Sequence, residues 1–324
     1  MKRKTPIFLV LFLSIIFNFY SSERMLYVDQ FYSILGDEEK ENQLLNFTVT
    51  NGFNKIILYD LHKVNRDYPL ADASKNVILA KFIYKAKKTF GIKEVGGSGE
   101  SADFFKNAIH AYNTSRKNVA EKFDSYNLEY EYWKPDDSKE GGYYCENYLK
   151  KTGKPCNREG TFAFFIKSLK EMRVLAKKNS HTVKVEAYVG KYNKDEIHEI
   201  SKYVDRLLIH VYVKSPRSGF NYAFKRLEYL AEVKIQPKVS IIYSSETLFM
   251  GGWLKFNSLK NGEKIFIDTM KNRSSRLLSK LNFTDFTYYN YNELSKSLEY
   301  YDRINGVAQQ KIRNNKNEII LAIK

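Results

Sequence analysis

The chain alternates short runs of β-branched and aromatic residues with longer amphipathic stretches, and this happens eight times. The runs cover residues 26–31, 55–61, 92–96, 125–131, 183–188, 206–212, 238–242 and 285–289. Strands of this length that alternate with helices indicate βα units and a parallel sheet. Eight such units most simply close into a (β/α)8 barrel. The alternative, an open doubly wound sheet, usually has a glycine-rich phosphate loop after its first strand, and this sequence has none there.

The stretches between the runs have helical periodicity. Residues 74–88, 161–178 and 219–233 are predicted to form helices, and Asn193 is a predicted N-cap for another helix. The tail at 317–324 (NEIILAIK) reads as a stray strand outside the barrel. No composition break or low-complexity linker divides the chain, so a single domain is expected.

The N-terminus resembles a targeting segment. Lys2, Arg3 and Lys4 precede an apolar run of about 13 residues, which is normal for a signal peptide and short for a membrane span. We therefore predict a signal peptide at 1–22, a barrel domain at 23–324 and no transmembrane span after cleavage, with an uncleaved anchor as the alternative. The expected location is secreted, periplasmic or in the cell envelope.

The net charge and the cysteines limit which binding partners and which cellular compartment are expected. The net charge is +16, but the lysines are scattered, which favours a solvated surface over nucleic-acid binding. Cys145 and Cys156 are the two cysteines, and export makes a disulfide between them plausible, with free thiols as the alternative. The five histidines are dispersed and show no metal-ligand spacing, so neither a metal nor a cofactor is expected.

The fourth run carries the strongest chemical signal. Residues 123–133 read FDSYNLEYEYW, so Asn127, Glu129 and Glu131 share one face of a strand. The intervening residues are aromatic or aliphatic and should pack on the helices, which turns the polar face into the barrel. Neighbouring carboxylates in a barrel raise each other's proton affinity, and Glu131, nearer the C-terminal mouth, is the natural acid. The alternative is a sheet edge with exposed carboxylates.

This segment resembles the D-G-x-D-x-D-x-E signature of glycoside hydrolase family 18. In that match Asp124, Asn127 and Glu129 stand at the three aspartate positions, and Glu131 stands at the catalytic glutamate. The resemblance implies a (β/α)8 barrel that hydrolyses β-1,4-linked N-acetylglucosamine.

Two further runs agree with that family. The third run, IKEVGGSGES, resembles its S-x-G-G motif, with Gly96 and Gly97 kept and Glu94 in place of serine. The sixth run, VDRLLIHVYV, resembles its D-x-x-x-x-M-x-Y pattern, with Tyr212 at the tyrosine and His210 in place of methionine. The order and spacing of the three motifs match across the whole barrel.

The resemblance also implies roles. Glu131 is the acid/base, Glu129 orients the substrate's acetamido group and stabilises an oxazolinium ion, and Tyr212 holds the acetamido oxygen. Asn127 and His210 line the same site, and His210 could pair with Glu129. Glu129 departs from the family's aspartate, and its extra methylene shifts the carboxylate by about 1 Å, which can cost about a hundredfold in rate.

Aromatic residues are candidates for sugar stacking. Trp133 follows Glu131 closely, Trp253 follows the seventh run, and Tyr288 or Tyr289 stands where the family has an inward tryptophan. Core packing is the alternative for each ring. Two functions remain open: a secreted hydrolase acting on chitin or an N-glycan core, and a catalytically impaired barrel that binds glycan or joins an envelope or secretion assembly.

Overall fold

Eight parallel strands close into a barrel in chain order, with β8 pairing back onto β1. The computed structural model describes the backbone of residues 23–322 and the side chains of residues 23–306, so the predicted signal peptide lies outside the described residues. The strands are β1 Glu23–Val28, β2 Lys55–Leu58, β3 Glu94–Gly99, β4 Ser125–Leu128, β5 Lys184–Val189, β6 Arg206–His210, β7 Lys238–Ser244 and β8 Asn282–Tyr289. The predicted (β/α)8 barrel and all eight predicted strands are confirmed.

Helices cover the outside of the barrel between successive strands. They are α1 Glu38–Thr50, α2 Leu61–Asp67, α3 Val77–Lys88, α4 Ala102–Phe104, α5 Ala111–Ser115, α6 Pro135–Ser138, α7 Arg158–Lys177, α8 Lys194–Ile200, α9 Pro216–Leu230, α10 Met250–Leu254, α11 Leu259–Lys280 and α12 Tyr291–Ala322. Short 3-10 turns lie at Phe31–Ser33, Val119–Glu121 and Lys150–Thr152, and π-helical turns lie at Phe105–His110 and Cys145–Leu149. None of the helices in this described part combines the length and apolarity that crossing a membrane requires.

Helix starts follow local chemistry, and one sequence prediction fails. Asn193 caps α8 in a reciprocal capping box with Glu196, as its position predicts. The predicted stray strand at the C-terminus is wrong, because α12 continues through Ala322. A closed barrel offers no open edge with which an extra strand could pair.

The N-terminal end of the barrel is filled by charged side chains, which we call the ionic layer. Arg206 is 1% exposed and contacts the fully buried Glu186, and its Nε lies 3.6 Å from Asp285 Oδ2. Lys55 Nζ lies 3.2 Å from the same Asp285 oxygen. The layer consists of Glu23, Lys55, Glu94, Lys184, Glu186, Arg206 and Asp285. Barrel interiors are normally packed with branched apolar side chains. At this end, charged side chains take their place, and each buried charge is compensated by a partner of opposite sign.

A waist of small side chains separates the ionic layer from the C-terminal mouth. Ser240 Oγ and Thr287 Oγ1 lie 2.7 Å apart, and both residues are fully buried. A Cβ at Gly96 would lie 2.5 Å from Ser125 Oγ, so this inward position tolerates only glycine without a shift of its neighbour. Small residues at this level leave room for the larger polar and aromatic side chains above them.

Candidate active site

The candidate site lies at the C-terminal mouth, where β4 ends at Leu128. The register of β4 against β3 and β5 pairs Asn127 with Ser98 and Glu186, which places Asn127 inside the barrel. Asn127 is fully buried, and Glu129 and Glu131 follow on the same face at the mouth. The strand predicted over residues 125–131 ends at Leu128, and Glu129 and Glu131 lie in the irregular segment that follows it.

Asn127 is held by Tyr27 of β1, which reaches it across the barrel interior, and by Ser98 of the neighbouring strand β3. Tyr27 Oη donates to Asn127 Oδ1 at 2.7 Å, and Ser98 Oγ lies 3.5 Å from the same oxygen. The Nδ2 group of Asn127 is buried without a hydrogen-bond partner among the described residues. An amide held in this way supplies an unused donor beneath the two carboxyl groups.

Glu129 is the carboxyl group at the centre of the mouth. Ser98 Oγ donates to its Oε2 at 3.4 Å. Burial, reinforced by the charges of Glu131 and Glu100, raises the pKa of Glu129 to about 8. Glu129 therefore holds a proton at neutral pH, whereas the sequence alone pointed to Glu131 as the group with the raised proton affinity.

Glu131 is held on three sides. Its backbone N–H donates to Tyr144 Oη at 2.9 Å, and its carboxylate forms an ion pair with Lys134. Burial raises the pKa of Glu131, while Lys134 and a hydrogen bond with Tyr188 oppose that rise. The carboxyl group is thus positioned at the rim, with its proton affinity set by a balance between burial and Lys134.

Tyr212 stands opposite the two glutamates and belongs to a ring cluster. Its ring lies 6.4 Å from that of Tyr188 between centroids, and the ring of His210 packs beside both. Its ring stacks on Tyr289 at 6.2 Å between centroids. Burial and the charge of Glu129 raise the pKa of Tyr212, so its hydroxyl remains a donor. The charge of Glu129 thus acts on Tyr212, and the orienting role of this tyrosine stays a prediction.

Tyrosine rings form the floor of the mouth. Tyr289 packs edge-on against Tyr27 at 5.8 Å and against Tyr59 at 6.5 Å. The charge of Glu129, followed by burial, raises the pKa of Tyr59. Tyr289 rather than Tyr288 takes the inward place on β8, because Tyr288 points outward and donates to Glu263 Oε1.

His210 faces inward on β6 but does not join Glu129. Its ring packs on Tyr212 with 4.1 Å between centroids, and its Nδ1 lies 3.4 Å from Tyr222 Oη. No hydrogen bond or ion pair connects His210 with Glu129 among the residues that the structure describes. Burial and the positive charge of Arg226 lower the pKa of His210 to about 4, so the ring is neutral. His210 therefore acts as a packing surface behind Tyr212.

The two tryptophans pack in different places. Trp133 is 8% exposed, contacts Tyr132 and Tyr188, and covers Gly190, where a Cβ would clash with the indole ring. Trp253 lies in α10, with its ring against Gly262 of α11. Both contacts join elements of the wall, and stacking of either ring on a sugar stays a prediction.

The segment after β4 forms one wall of the mouth. A disulfide joins Cys145 and Cys156, with 5.0 Å between their Cα atoms. Tyr148 Oη donates to Glu100 Oε2 at 2.6 Å, which ties this segment to the loop after β3. Glu140 lies beside the two sulfur atoms, but the disulfide consumes both thiols, so the group does not form a metal site.

A polar cavity of about 590 Å³ adjoins the floor on the side of β1, β7 and β8. Its lining residues are Asp29, Gln30, Glu246, Thr247, Leu248, Asn290, Asn292, Glu293 and Lys296. Asp29 is held there by Asn292, whose Nδ2 donates at 2.8 Å. The cavity extends the mouth beyond Tyr289 with amide and carboxyl groups that suit a hydroxyl-rich ligand.

Sequence reasoning missed several members of the site. Tyr27, Ser98 and Tyr188 touch the candidate residues, yet each looks like an ordinary strand residue when its own segment is read alone. Alternation from the C-terminal end of each predicted strand could have placed them inward. The contact between Lys134 and Glu131 could have been predicted from their spacing, since a lysine three residues after a glutamate can reach it across a turn.

Comparisons with known proteins find distant structural similarity. No protein-family model and no curated protein matches the sequence. A chitinase from Bacteroides thetaiotaomicron is 12% identical over 84% of this chain and 90% of its own, with a TM-score of 0.42. A thiamine phosphate pyrophosphorylase from Pyrococcus furiosus is 11% identical over 88% and 96%, with a TM-score of 0.39. An agarase is 10% identical over 78% and 43%, with a TM-score of 0.33. A fold alone does not determine function, which depends on the residues of the site.

Replacing Glu129 by glutamine is expected to stabilise the protein at alkaline pH. The folded protein binds a proton at Glu129 with a pKa of about 8, above the ordinary value of 4.5, so ionisation of this group weakens folding as the pH rises from about 4.5 to 8. Glutamine keeps the shape and removes the charge. Urea denaturation at pH 5, 7 and 9 should show a gain in unfolding free energy that grows with pH. Equal stability of the two proteins at pH 9 would contradict the raised proton affinity.

Proposed function

We propose that this protein is an exported glycoside hydrolase that cleaves β-1,4-linked N-acetylglucosamine glycans, such as chitin or an N-glycan core, with retention of configuration. The observation that carries the proposal is the arrangement of Glu129, Glu131 and Tyr212 around one mouth. Two carboxyl groups with raised pKa values face a tyrosine hydroxyl above an aromatic floor. The disulfide between Cys145 and Cys156 supports an oxidising compartment.

Substrate-assisted hydrolysis gives each of these residues a role. Glu131 transfers its proton to the glycosidic oxygen as the bond to the anomeric carbon breaks. The carbonyl oxygen of the substrate's own acetamido group attacks that carbon and forms an oxazolinium ion, which water then opens. Tyr212 donates its hydroxyl to the acetamido oxygen, and the protonated Glu129 accepts from the acetamido N–H with its carbonyl oxygen.

The buried neighbours prepare these groups. Ser98 donates to Glu129, and Tyr27 fixes Asn127 beneath it. Both side chains are therefore held in position before substrate binds. The floor of Tyr289 and Tyr212 offers flat apolar surface to a pyranose ring. The polar cavity beyond Tyr289 then accommodates the next sugar toward the non-reducing end.

One observation favours a second candidate function, a barrel that binds glycan without cleaving it and acts at the envelope or in a secretion assembly. Glu131 is ion-paired with Lys134, and an ionised carboxylate has no proton to donate. A site that remains in this state would bind the sugar on the aromatic floor and leave the bond intact.

The test follows hydrolysis of fluorogenic chito-oligosaccharides and of a high-mannose N-glycan. We expect turnover of one of them, with the β-anomer as first product in proton NMR, because the acetamido group and water attack the anomeric carbon in succession. A thiazoline analogue of the oxazolinium ion should bind at least about 100-fold more tightly than N-acetylglucosamine.

Three results separate the candidates. Initial release of the α-anomer contradicts the substrate-assisted scheme. Tight binding of oligosaccharide with no turnover favours the glycan-binding barrel. Neither turnover nor binding on a folded protein refutes both.

A further inference from the structure

Lys134 is the charged side chain in direct contact with the proposed acid. It follows the sharp turn after β4, where its N–H donates to Glu131 O at 2.9 Å, and its Nζ reaches the Oε2 of the same residue. The side chain of Lys134 is 49% exposed and that of Glu131 is 19% exposed. The ammonium group can therefore leave Glu131 without disturbing buried packing.

The contact places a cation where the leaving group must sit. Glu131 has to approach the glycosidic oxygen to protonate it, so its Oε2 marks the boundary between the cleaved sugar and the leaving group. Lys134 Nζ contacts that oxygen from a side chain that is about half exposed to solvent.

Charged side chains surround the mouth on both sides. Asp29 and Glu246 lie near Tyr289 and raise its proton affinity. Near Glu131 the carboxylates are Glu100 and Asp137, and Lys134 is the cation paired with Glu131. A ligand group that replaces Glu131 as the partner of Lys134 must therefore be an anion.

We propose that Lys134 is a specificity residue that binds a carboxylate on the leaving-group side of the scissile bond and thereby releases Glu131. The proposal rests on the proposed hydrolase function. A carboxylate is the favoured group because the carboxylate of Glu131 already occupies Lys134. When a substrate carboxylate binds, Lys134 forms an ion pair with it and no longer with Glu131. The side chain of Glu131 is partly buried, and without the ammonium group this burial favours its protonated form.

The release changes what Glu131 can do. The groups that act on it are Lys134, Asp137, Tyr188 and the neighbouring Glu129, together with its own burial. Burial raises its pKa, and Lys134 is the neighbouring cation that lowers it. Transfer of Lys134 to the substrate therefore lets Glu131 take up the proton that it passes to the leaving oxygen.

The test compares two oligosaccharides that differ at one end. Tetra-N-acetylchitotetraose is oxidised at its reducing end to the aldonic acid, and a matched sample is reduced to the neutral alditol. We expect wild type to prefer the acid by about tenfold in kcat/KM and in calorimetric affinity at low salt, as one charge-assisted contact supplies. Lys134→Met should abolish the preference and Lys134→Arg should retain part of it.

The control variant is Lys139→Met. Lys139 lies near by, is 67% exposed and pairs with Asp136 at 2.7 Å rather than with Glu131. It should keep the full preference for the acid. The preference in wild type should shrink at 1 M salt, where charges are screened over about 3 Å.

The outcomes separate the two proposals. A preference in binding that Lys134→Met removes supports the role of Lys134 even if no variant cleaves either sugar, in which case the hydrolase function fails. Equal affinity of wild type for acid and alditol, binding of neither, or a preference that survives in Lys134→Met overturns the role of Lys134.

Discussion

Replacing Glu131 by glutamine is expected to lower kcat on chito-oligosaccharides by at least about 100-fold, as the loss of a general acid does. Glutamine has the shape of glutamate, and the backbone N–H of Glu131 keeps its bond to Tyr144 Oη. The position of the side chain is therefore preserved, while the proton for the leaving group is lost. Steady-state rates at pH 5 to 8 measure the effect, and oligosaccharide affinity should change little.

The control for this variant is Glu146→Gln. Glu146 lies on the same wall but faces solvent, where it pairs with Lys150 at 2.7 Å. It should turn over substrate at the wild-type rate. Activity of Glu131→Gln within a few fold of wild type would show that Glu131 is not the general acid. Glu129, which holds a proton at neutral pH, would then be the candidate acid.

Replacing Arg206 by methionine is expected to destabilise the barrel by about 3–5 kcal/mol, the usual cost of removing one partner from a buried ion pair. Arg206 is 1% exposed and pairs with Glu186, Glu94 and Asp285. Methionine fills a similar volume but leaves Glu186, whose side chain is fully buried, without its cation. Urea denaturation followed by circular dichroism measures the loss.

A comparison variant isolates burial as the cause. Arg66→Met removes a bidentate pair with Asp67 at the surface and should leave the denaturation midpoint unchanged. The double variant Arg206→Met with Glu186→Met should recover much of the loss, because it removes the stranded charge as well. A single variant as stable as wild type would show that water replaces the guanidinium inside the barrel.

Periodicity predicted the fold because each strand carries its own signal. The runs at 55–61 and 206–212 are β-branched and apolar, and neither depends on distant residues to be read. The strand ends were less accurate, since β6 stops at His210 while Tyr212 continues inward beyond it. Local hydrophobic pattern thus determines which segments are strands, and barrel closure determines where they end.

The ionic layer escaped prediction because its members come from separate strands. Glu186 and Arg206 become neighbours through the register of β5 with β6, which no local pattern reports. Each charged residue at the start of a strand looks like a solvated end. At the mouth, the roles that the motif gives Glu129, Glu131 and Tyr212 stay predictions. The distribution of protons between the two glutamates depends on burial and on Lys134, so it required the three-dimensional arrangement.

The ionic layer also bears on how this barrel can diverge. Arg206 serves three carboxylates at once, so the effect of losing one of them depends on which of the others remain. The effect of one substitution in the ionic layer therefore depends strongly on the other residues of the layer. A change that leaves stability unaltered must replace both partners of an ion pair. Among the described residues, Glu129, Glu131 and Tyr212 form no ion pair with Arg206, so substitutions at these mouth positions are less constrained by it. We therefore expect residues of the ionic layer to change slowly among proteins that descend from this one. Residues at the C-terminal mouth should change more readily, and with them the ligand preference.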